Sequence, residues 1–433
     1  MRLTILNQFF YPDHSATSQL MTALAENLVE YGVEVTALAG RGRYNGGGML
    51  PSHEYYKGVL IERAWATSFG KKSTTGRLAD YLTFYLGAFW KLLTMPRQDV
   101  VMALTTPPLI GLVALIVGRL RKMHFVALME DVYPDVAIAL GALKANSLLT
   151  RLLEWLSCRM LRNADRIIVL SDCMLERIVS KVGKDAAERI DVIHNWADGK
   201  EIVPLHNGKN GLFKERDWQG LKDKFIVLFS GNLGLVNEFS TVLEAARLLH
   251  DRPEIAFVFI GDGARAGEIK CSISCHGLNN IRMLPYQPRE LVRKSLGAAD
   301  VLLVTLADGL AGLSVPSKTY CSLAAGRPIL FVGDQRSSVA QLISENSCGE
   351  AIASGESERL AAVISEWAAN RVKLAGLGSA ARSLFEAHFD RRKAVKRYLE
   401  SLMKCSNPTS QTLDVSFEVR VPVKASKFKK PIF

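Results

Sequence analysis

The sequence predicts an α/β protein of two Rossmann-like, doubly wound domains, and three observations carry that expectation. At 433 residues the chain is long enough for two domains with separate cores. Short apolar and β-branched runs alternate with amphipathic stretches, as parallel strands buried on both faces do when helices connect them. The alternation is interrupted at a polar stretch rich in Gly, Asn and Lys, residues 197–224, and then restarts.

In chain order, the strand-like run "LTILNQFF" is followed by a helix over Ser18 to Tyr31, in which Leu20, Leu24 and Leu28 recur at i+4 steps. The runs "VEVTALAG", "DVVMAL", "HFVALM", "RIIVLS" and "RIDVIHN" complete the first half, residues 1–198. A linker over 199–222 leads to a second half, 223–384, with strand-like runs "FIVLFSGNLG", "IAFVFIGDG", "NIRMLPY", "DVLLVTL" and "PILFVGD". A basic helix ends at Lys404, and 405–433 reads as a tail, either disordered or a weak extra strand. No short-period repeat argues for a solenoid.

Composition narrows the function classes. Hydrophobic residues at 48% and charged residues at 22% describe a globular chain. The net charge of +11 favours an anionic partner: nucleic acid, a phosphorylated ligand or an acidic membrane. No aromatic–basic motif of a nucleic-acid module accompanies it, so no nucleic-acid partner is expected. Seven scattered cysteines argue for a reducing compartment. Cys271, Cys275 and His276 lack a second ligand pair, so no metal is expected there. The N-terminal run shows no cleavable signal, and the longest apolar run, Leu109 to Gly118, falls short of the ~20 residues that span a bilayer. A soluble or peripheral protein is expected.

Three glycine-bearing turns could hold a phosphate. In "LFSGNLGLVNEFS", Gly231 and Gly234 follow a strand, Asn232 could hydrogen-bond a phosphate, and a helix beginning near Ser240 would offer free N–H groups to an anion. "FVFIGDGARAGEI" places Gly261, Asp262 and Gly263 in a G-x-G-x-x-x-G pattern, a weak dinucleotide signal. In "LSVPSKTYCSLAAGRPILF", Pro316 and Gly326 frame a short helix whose start carries Ser317 and Lys318. Hydroxyl, ammonium and helix N-terminus together make a diphosphate site; tight βα packing explains the same glycines, and an ordinary capped helix the same Ser-Lys.

The order of motifs resembles glycosyltransferase family 4, retaining enzymes of GT-B fold, and in particular bacterial enzymes of O-antigen, capsule and colanic-acid assembly. The residues that carry the resemblance are "NQFFYPDHSATSQLMTALAENL", "MEDVYPDVAIALGAL", "VLSDCM", "VIHNWAD", "FSGNLG", "FIGDGA", "YQPRELVRKSLGAADVLLVTL", "VPSKTYCSLAAGRPI" and "ENSCGEAIASGESERLAAVI", spread over about residues 1–404. The resemblance implies a nucleotide-sugar held by the second domain, an acceptor held by the first, and a final helix, 385–404, crossing back to the first domain. It implies no metal or other cofactor, because positive side chains and helix ends stabilise the leaving diphosphate. Three departures stand out. The family's paired glutamates fall on Leu313 and Cys321; the Arg and Lys that grip the diphosphate fall on Asn232 and Asn237; "TTPP", Thr105 to Pro108, replaces a histidine.

Donor contacts are therefore expected from Gly231, Asn232, Gly234, Gly261, Asp262, Gly263, Ser317 and Lys318, with Lys318 on the leaving diphosphate. Asp131 would accept or orient the acceptor's proton, or brace the loop "EDVYPD". Glu130, His14 and Ser18 would contact the acceptor, a lipid-diphosphate-linked saccharide; a solvent role for His14 explains its position equally well. His194 is expected to brace the hinge. From Arg63 to Lys122 nine Lys/Arg face two acids and flank "YLTFYLGAFWKLL". That pattern fits either a core helix or the inner face of an anionic cytoplasmic membrane. A 2-epimerase of the same fold and a non-catalytic scaffold remain as alternatives. The first would need more cleft carboxylates and histidines; the second finds support in the missing glutamates.

Overall fold

Strands at the apolar runs build two parallel-rich sheets, shown by a computed structural model that describes residues 1–44, 48–69, 74–205 and 211–406. The tail beyond 406 lies outside the described residues. In the first domain the strands are β1 (Arg2–Leu6), β2 (Glu34–Gly40), β3 (His53–Tyr56), β4 (Val59–Ala64), β5 (Val100–Ala103), β6 (His124–Met129), β7 (Arg166–Val169) and β8 (Ile190–Val192). Its helices are α1 (Ala16–Glu30), α2 (Thr74–Thr94), α3 (Gly111–Arg121), α4 (Asp135–Ala139), α5 (Leu148–Arg162) and α6 (Asp172–Val182). The sheet order is β3-β4-β2-β1-β5-β6-β7-β8, so the order reverses between β1 and β5.

The second sheet has the order β11-β10-β9-β12-β13-β14, with its reversal between β9 and β12. Its strands are β9 (Phe225–Ser230), β10 (Ile255–Ile260), β11 (Ile281–Leu284), β12 (Val301–Leu306), β13 (Ile329–Gly333) and β14 (Gly349–Ile352). Between and after them run α7 (Ser240–Leu248), α8 (Ala266–His276), α9 (Arg289–Ala298), α10 (Lys318–Ala324), α11 (Ser338–Asn346), α12 (Ser357–Ala369) and α13 (Arg371–Leu384). A π-helical turn, Phe385–Phe389, then leads into α14 (Arg391–Ser406).

Helix α1 starts where Ser15 accepts from the Ser18 N–H, and its Leu24 and Leu28 are fully buried. Three strands escaped the apolar-run reading. The β3–β4 hairpin turns on Lys57 and Gly58, both at positive φ, and His53, Glu54, Glu62 and Arg63 interrupt it, so no continuous apolar run marks it. The edge strand β14 is similarly half-exposed. The polar connection between the halves is not a bare linker: a 3-10 turn at Arg216–Trp218 buries Trp218, whose ring meets Phe213 edge-on at 6.2 Å.

Helix α14 returns to the first domain and packs on α1, β5 and β6. Ser401 donates to Asp191 at 2.6 Å, and the Tyr398 ring meets Trp196 at 5.6 Å. The two domains also touch across the cleft. The Val132 N–H donates to the Leu313 carbonyl at 2.9 Å, and Asp131 pairs with Ser314 as an isolated antiparallel bridge.

Candidate active site

Carboxyl ends of parallel strands at a point of reversal leave an open crevice, because the flanking loops turn away from each other. In the second domain that crevice lies between the β9–α7 turn and the loop from β12 to α10. Gly231 has φ +137°, and the nearest atom to any side chain added there would be Lys318 Cε, 3.6 Å away. The Lys318 ammonium therefore lies over the first glycine turn. It sits 3.6 Å from the centre of the Phe229 ring and donates to Asn237 Oδ1 at 3.3 Å. Among the described residues no carboxylate pairs with it. Burial against that ring pulls its pKa down to about 7.

Asn237 is the residue that sequence reasoning undervalued. It is buried; its amide donates to the carbonyls of Asn232 (3.1 Å) and Gly234 (3.0 Å), and its oxygen accepts from Thr305 (3.1 Å) as well as from Lys318. One side chain thus shapes the turn and aims the ammonium. The signal was present as a departure: an uncharged residue where relatives carry a gripping cation.

The second glycine turn buttresses the first. A Cβ on Gly261 would stand 2.0 Å from the Gly231 carbonyl, so only glycine permits the approach. Gly263 likewise lies against the Leu233 carbonyl, and the exposed Asp262 carboxylate accepts from the Gly263 N–H at 2.9 Å. Asn232 is exposed, its amide folded over Gly234 and reaching toward Gly263. Tyr286, another residue not anticipated, donates to the Asp262 carbonyl at 3.1 Å and borders Gly261.

One expectation is corrected. The start of α7 is not the open anion site expected, because the buried Glu238 carboxylate accepts from the Thr241 N–H at 3.1 Å and from the Ser240 hydroxyl and brings its own negative charge there. A carboxylate already occupies the positive helix end. The third turn keeps its anticipated frame, with Gly326 left-handed at φ +62° behind α10. Hydrogen-bonded helix begins only at Lys318, and Ser317 caps it without a side-chain bond.

On the first domain's edge, Asp131 is half-buried beside Ser314, whose hydroxyl partly offsets the upward push of burial on its pKa. Its neighbour Glu130 turns toward Asn195, Tyr320 and Tyr398, and burial with the Asp131 charge lifts its pKa to about 7. Ser18 spends its hydroxyl on the Asp13 carbonyl at 3.2 Å, inside the β1–α1 connection, whereas His14 is exposed in that loop. His194 bonds the Leu170 carbonyl at 2.9 Å and meets Phe389 edge-on, at the junction with the returning helix. The positions of the family's glutamates are apolar contacts: Leu313 is buried and lends its carbonyl to the domain contact, and burial pushes the Cys321 thiol up to about 11.

Two family models match along the chain: "Glycosyl transferase 4-like domain" over residues 17–196 and "Glycosyl transferases group 1" over 213–384. A Pseudomonas aeruginosa chain named "Probable glycosyltransferase WbjE" is 30% identical over 305 residues, covering 70% of this chain and 74% of its own. The chain is a family 4 glycosyltransferase of GT-B fold. This glycosyltransferase is also 26% identical, over 62% of its length and 66% of the relative's, to Escherichia coli K12 WcaI, named for colanic acid biosynthesis. Among solved structures, Anabaena HepE in complex with UDP-glucose matches 93% of this chain and all of its own at a TM-score of 0.70 and 15% identity, a likeness of fold.

Proposed function

We propose that this glycosyltransferase moves a hexose-type sugar, with retention, from a nucleoside-diphosphate donor to a lipid-linked saccharide in bacterial surface-polysaccharide synthesis. The observation that carries this reading is Lys318, an ammonium held over a glycine turn with no carboxylate partner among the described residues. A diphosphate entering the crevice would meet that charge beside Gly231, with the Asn232 amide at the rim. Charge grows on the leaving diphosphate as the glycosidic bond breaks, so a preplaced ammonium stabilises the transition state more than the ground state. The anion would in turn restore the lysine's proton affinity.

Asp131, facing from the first domain, would orient the acceptor hydroxyl and take its proton. No resident metal or cofactor is required in this scheme, since Lys318 supplies the positive charge. The names of WbjE and WcaI support the polysaccharide setting, and the UDP-glucose bound by HepE supports a nucleotide-sugar donor. We place the protein peripherally on the inner face of the cytoplasmic membrane; among the described residues no helix is long and apolar enough to cross it.

A thermal-shift panel of UDP, GDP, ADP and dTDP with their sugars tests the donor assignment, because a ligand that binds the native state stabilises it by mass action. One nucleotide should raise the melting temperature, and its sugar should be turned over with a lipid-linked acceptor. No response to any would sink the reading and favour a scaffold.

A further inference from the structure

Thiol chemistry needs access and a thiolate, and burial denies both to most cysteines of a folded chain. Five of the seven here are wholly or partly buried: Cys348 and Cys405 lie in the core, and Cys158, Cys173 and Cys321 are partly covered. Burial pushes the thiols of all five up, to about 11 for Cys321 and Cys348 and about 12 for Cys405. Cys271 and Cys275 differ. Both are exposed, and their sulfurs stand 3.4 Å apart, one turn from each other on α8. The hydrogen bond to Cys275 holds the Cys271 thiol above the ordinary cysteine range, so Cys271 keeps the proton that the pair shares.

The helix that carries them is weak at this end. Ala266 and Ile269 anchor its inner face, whereas from Lys270 to Gly277 only Ser272 and Ile273 are even partly covered. Gly, Ser, Cys and His make up most of α8, and all are modest or poor helix formers. The Ser274 hydroxyl donates to the carbonyls of Lys270 (3.1 Å) and Cys271 (3.0 Å), in competition with the helix's own N–H groups. The other end is clamped to the glycine turns. There the Arg265 N–H donates to the Leu233 carbonyl at 2.9 Å, and the Arg265 guanidinium donates to the Asn237 carbonyl. Asn237 in turn aims Lys318, so the start of α8 supports the crevice directly.

We propose that Cys271 and Cys275 form a reversible oxidation site, where a hydroperoxide converts both thiols into an intrahelical disulfide that loosens the first glycine turn. The Cys275 sulfur attacks the peroxide: an S–O bond forms, the O–O bond breaks, and an alcohol or water leaves behind a sulfenic acid. The Cys271 sulfur then displaces that oxygen as water, forming the S–S bond and giving up its proton. Two thiols and ROOH become a disulfide, ROH and water, and the peroxide takes the two electrons. Cβ atoms four residues apart on a helix stand ~5–6 Å from each other, but a disulfide holds them at ~3.5–4.5 Å. The bond therefore closes only if the last turn gives way. At eleven residues α8 has little length to lose, because helical turns support one another cooperatively. Loss of the last turn thus weakens the first, where Arg265 is held. The same misfit makes the bond easy to reduce, which keeps the site reversible. Its bearing on sugar transfer rests on the donor reading above; the chemistry at sulfur does not.

Peptide mass spectrometry of the full chain, treated with hydrogen peroxide and then alkylated with a maleimide, tests the site. The segment holding both cysteines should lose two hydrogens and escape alkylation, and dithiothreitol should restore two free thiols. In Cys271→Ser the Cys275 sulfur should stop at the sulfenic acid, captured by dimedone. Hydrogen exchange of the ligand-free protein reads the consequence. Amides of α8 and of residues 231–237 should exchange about fivefold or more faster in the oxidised wild type, and peroxide should change nothing in Cys271→Ser/Cys275→Ser. Full alkylation of both cysteines after peroxide would overturn the proposal, as would a bond to another cysteine or another chain. So would a disulfide that leaves exchange in both segments unchanged. None of these readouts uses nucleotide, so a missing nucleotide response would refute the donor assignment and leave the oxidation site standing.

Discussion

The facing edges of the two sheets carry opposite, uncompensated charge. Among the described residues, the second domain's edge holds one half-buried ammonium without an acid, and the first domain's edge holds adjacent acids, Glu130 and Asp131, without a base. Burial drives both toward neutrality, lowering Lys318 and raising Glu130, each to about pH 7. Ion pairs within each domain would be the stable arrangement, as Arg166 with Asp191 shows inside the first. In the proposed reaction, leaving these charges unpaired would reserve them for what enters the cleft: a diphosphate on one side and an acceptor proton on the other.

The largest break in this comparison should come from Lys318→Met. Transfer is expected to fall by about a thousandfold, as for other groups that stabilise developing charge. Stability of the ligand-free protein should rise at neutral pH, because a desolvated ammonium is removed. The linkage has a definite sign. The folded pKa of about 7 lies below the ordinary lysine value of 10.5, so the penalty is complete below pH 7 and fades as pH rises between the two. Melting curves at pH 6 and pH 9 should therefore show the larger gain at pH 6.

Next in size is Asp131→Asn, which should cut transfer about ten- to a hundredfold while leaving nucleotide affinity unchanged. Steady-state kinetics beside calorimetric binding would separate the two edges. Equal loss in both would place Asp131 in donor binding or domain contact instead.

Asn237→Ala should weaken nucleotide binding about tenfold and destabilise the second domain by about 2 kcal/mol, since carbonyls and a lysine lose a buried partner. The exchange Asn237→Lys/Lys318→Ala sharpens the point. It returns the cation to the position used by relatives, and recovery of part of the affinity lost in Lys318→Ala would show that charge, not its point of attachment, is what the turn needs.

The smallest effect is expected at Glu130→Gln. The folded pKa lies above the ordinary glutamate value of 4.5, so the native state binds more protons between pH 4.5 and about 7, and stability falls across that window. The amide should stabilise the protein more at pH 8 than at pH 5, read from chemical-denaturation midpoints.

Much of this arrangement was legible in sequence because strands buried on both faces announce themselves as apolar runs, such as "IAFVFI" in β10. Lys318 stood out because Pro316 and Gly326 frame its helix. What escaped depended on tertiary contact. Glu238 is the local exception, since its carboxylate accepts from the Thr241 N–H only three residues on. Asn237 reads as a lost lysine until Lys318 is seen bonded to it. Gly261 and Gly263 read as ligand glycines, yet the close approach of two turns already requires them. Helix α2 posed a choice between core and membrane surface; its inner stripe is core, and its outer stripe is exposed.

The central claim is that Lys318 binds the diphosphate as a cation. Calorimetry of the nucleotide selected by thermal shift, run at pH 7.5 in buffers of different ionisation enthalpy, tests it most directly. A lysine of pKa about 7 that becomes fully protonated on binding takes up about 0.8 proton. The wild type should show that uptake, with affinity weakening as pH rises further, and Lys318→Met should lose the uptake together with most of the affinity. Proton-neutral binding of equal strength in both proteins would contradict it.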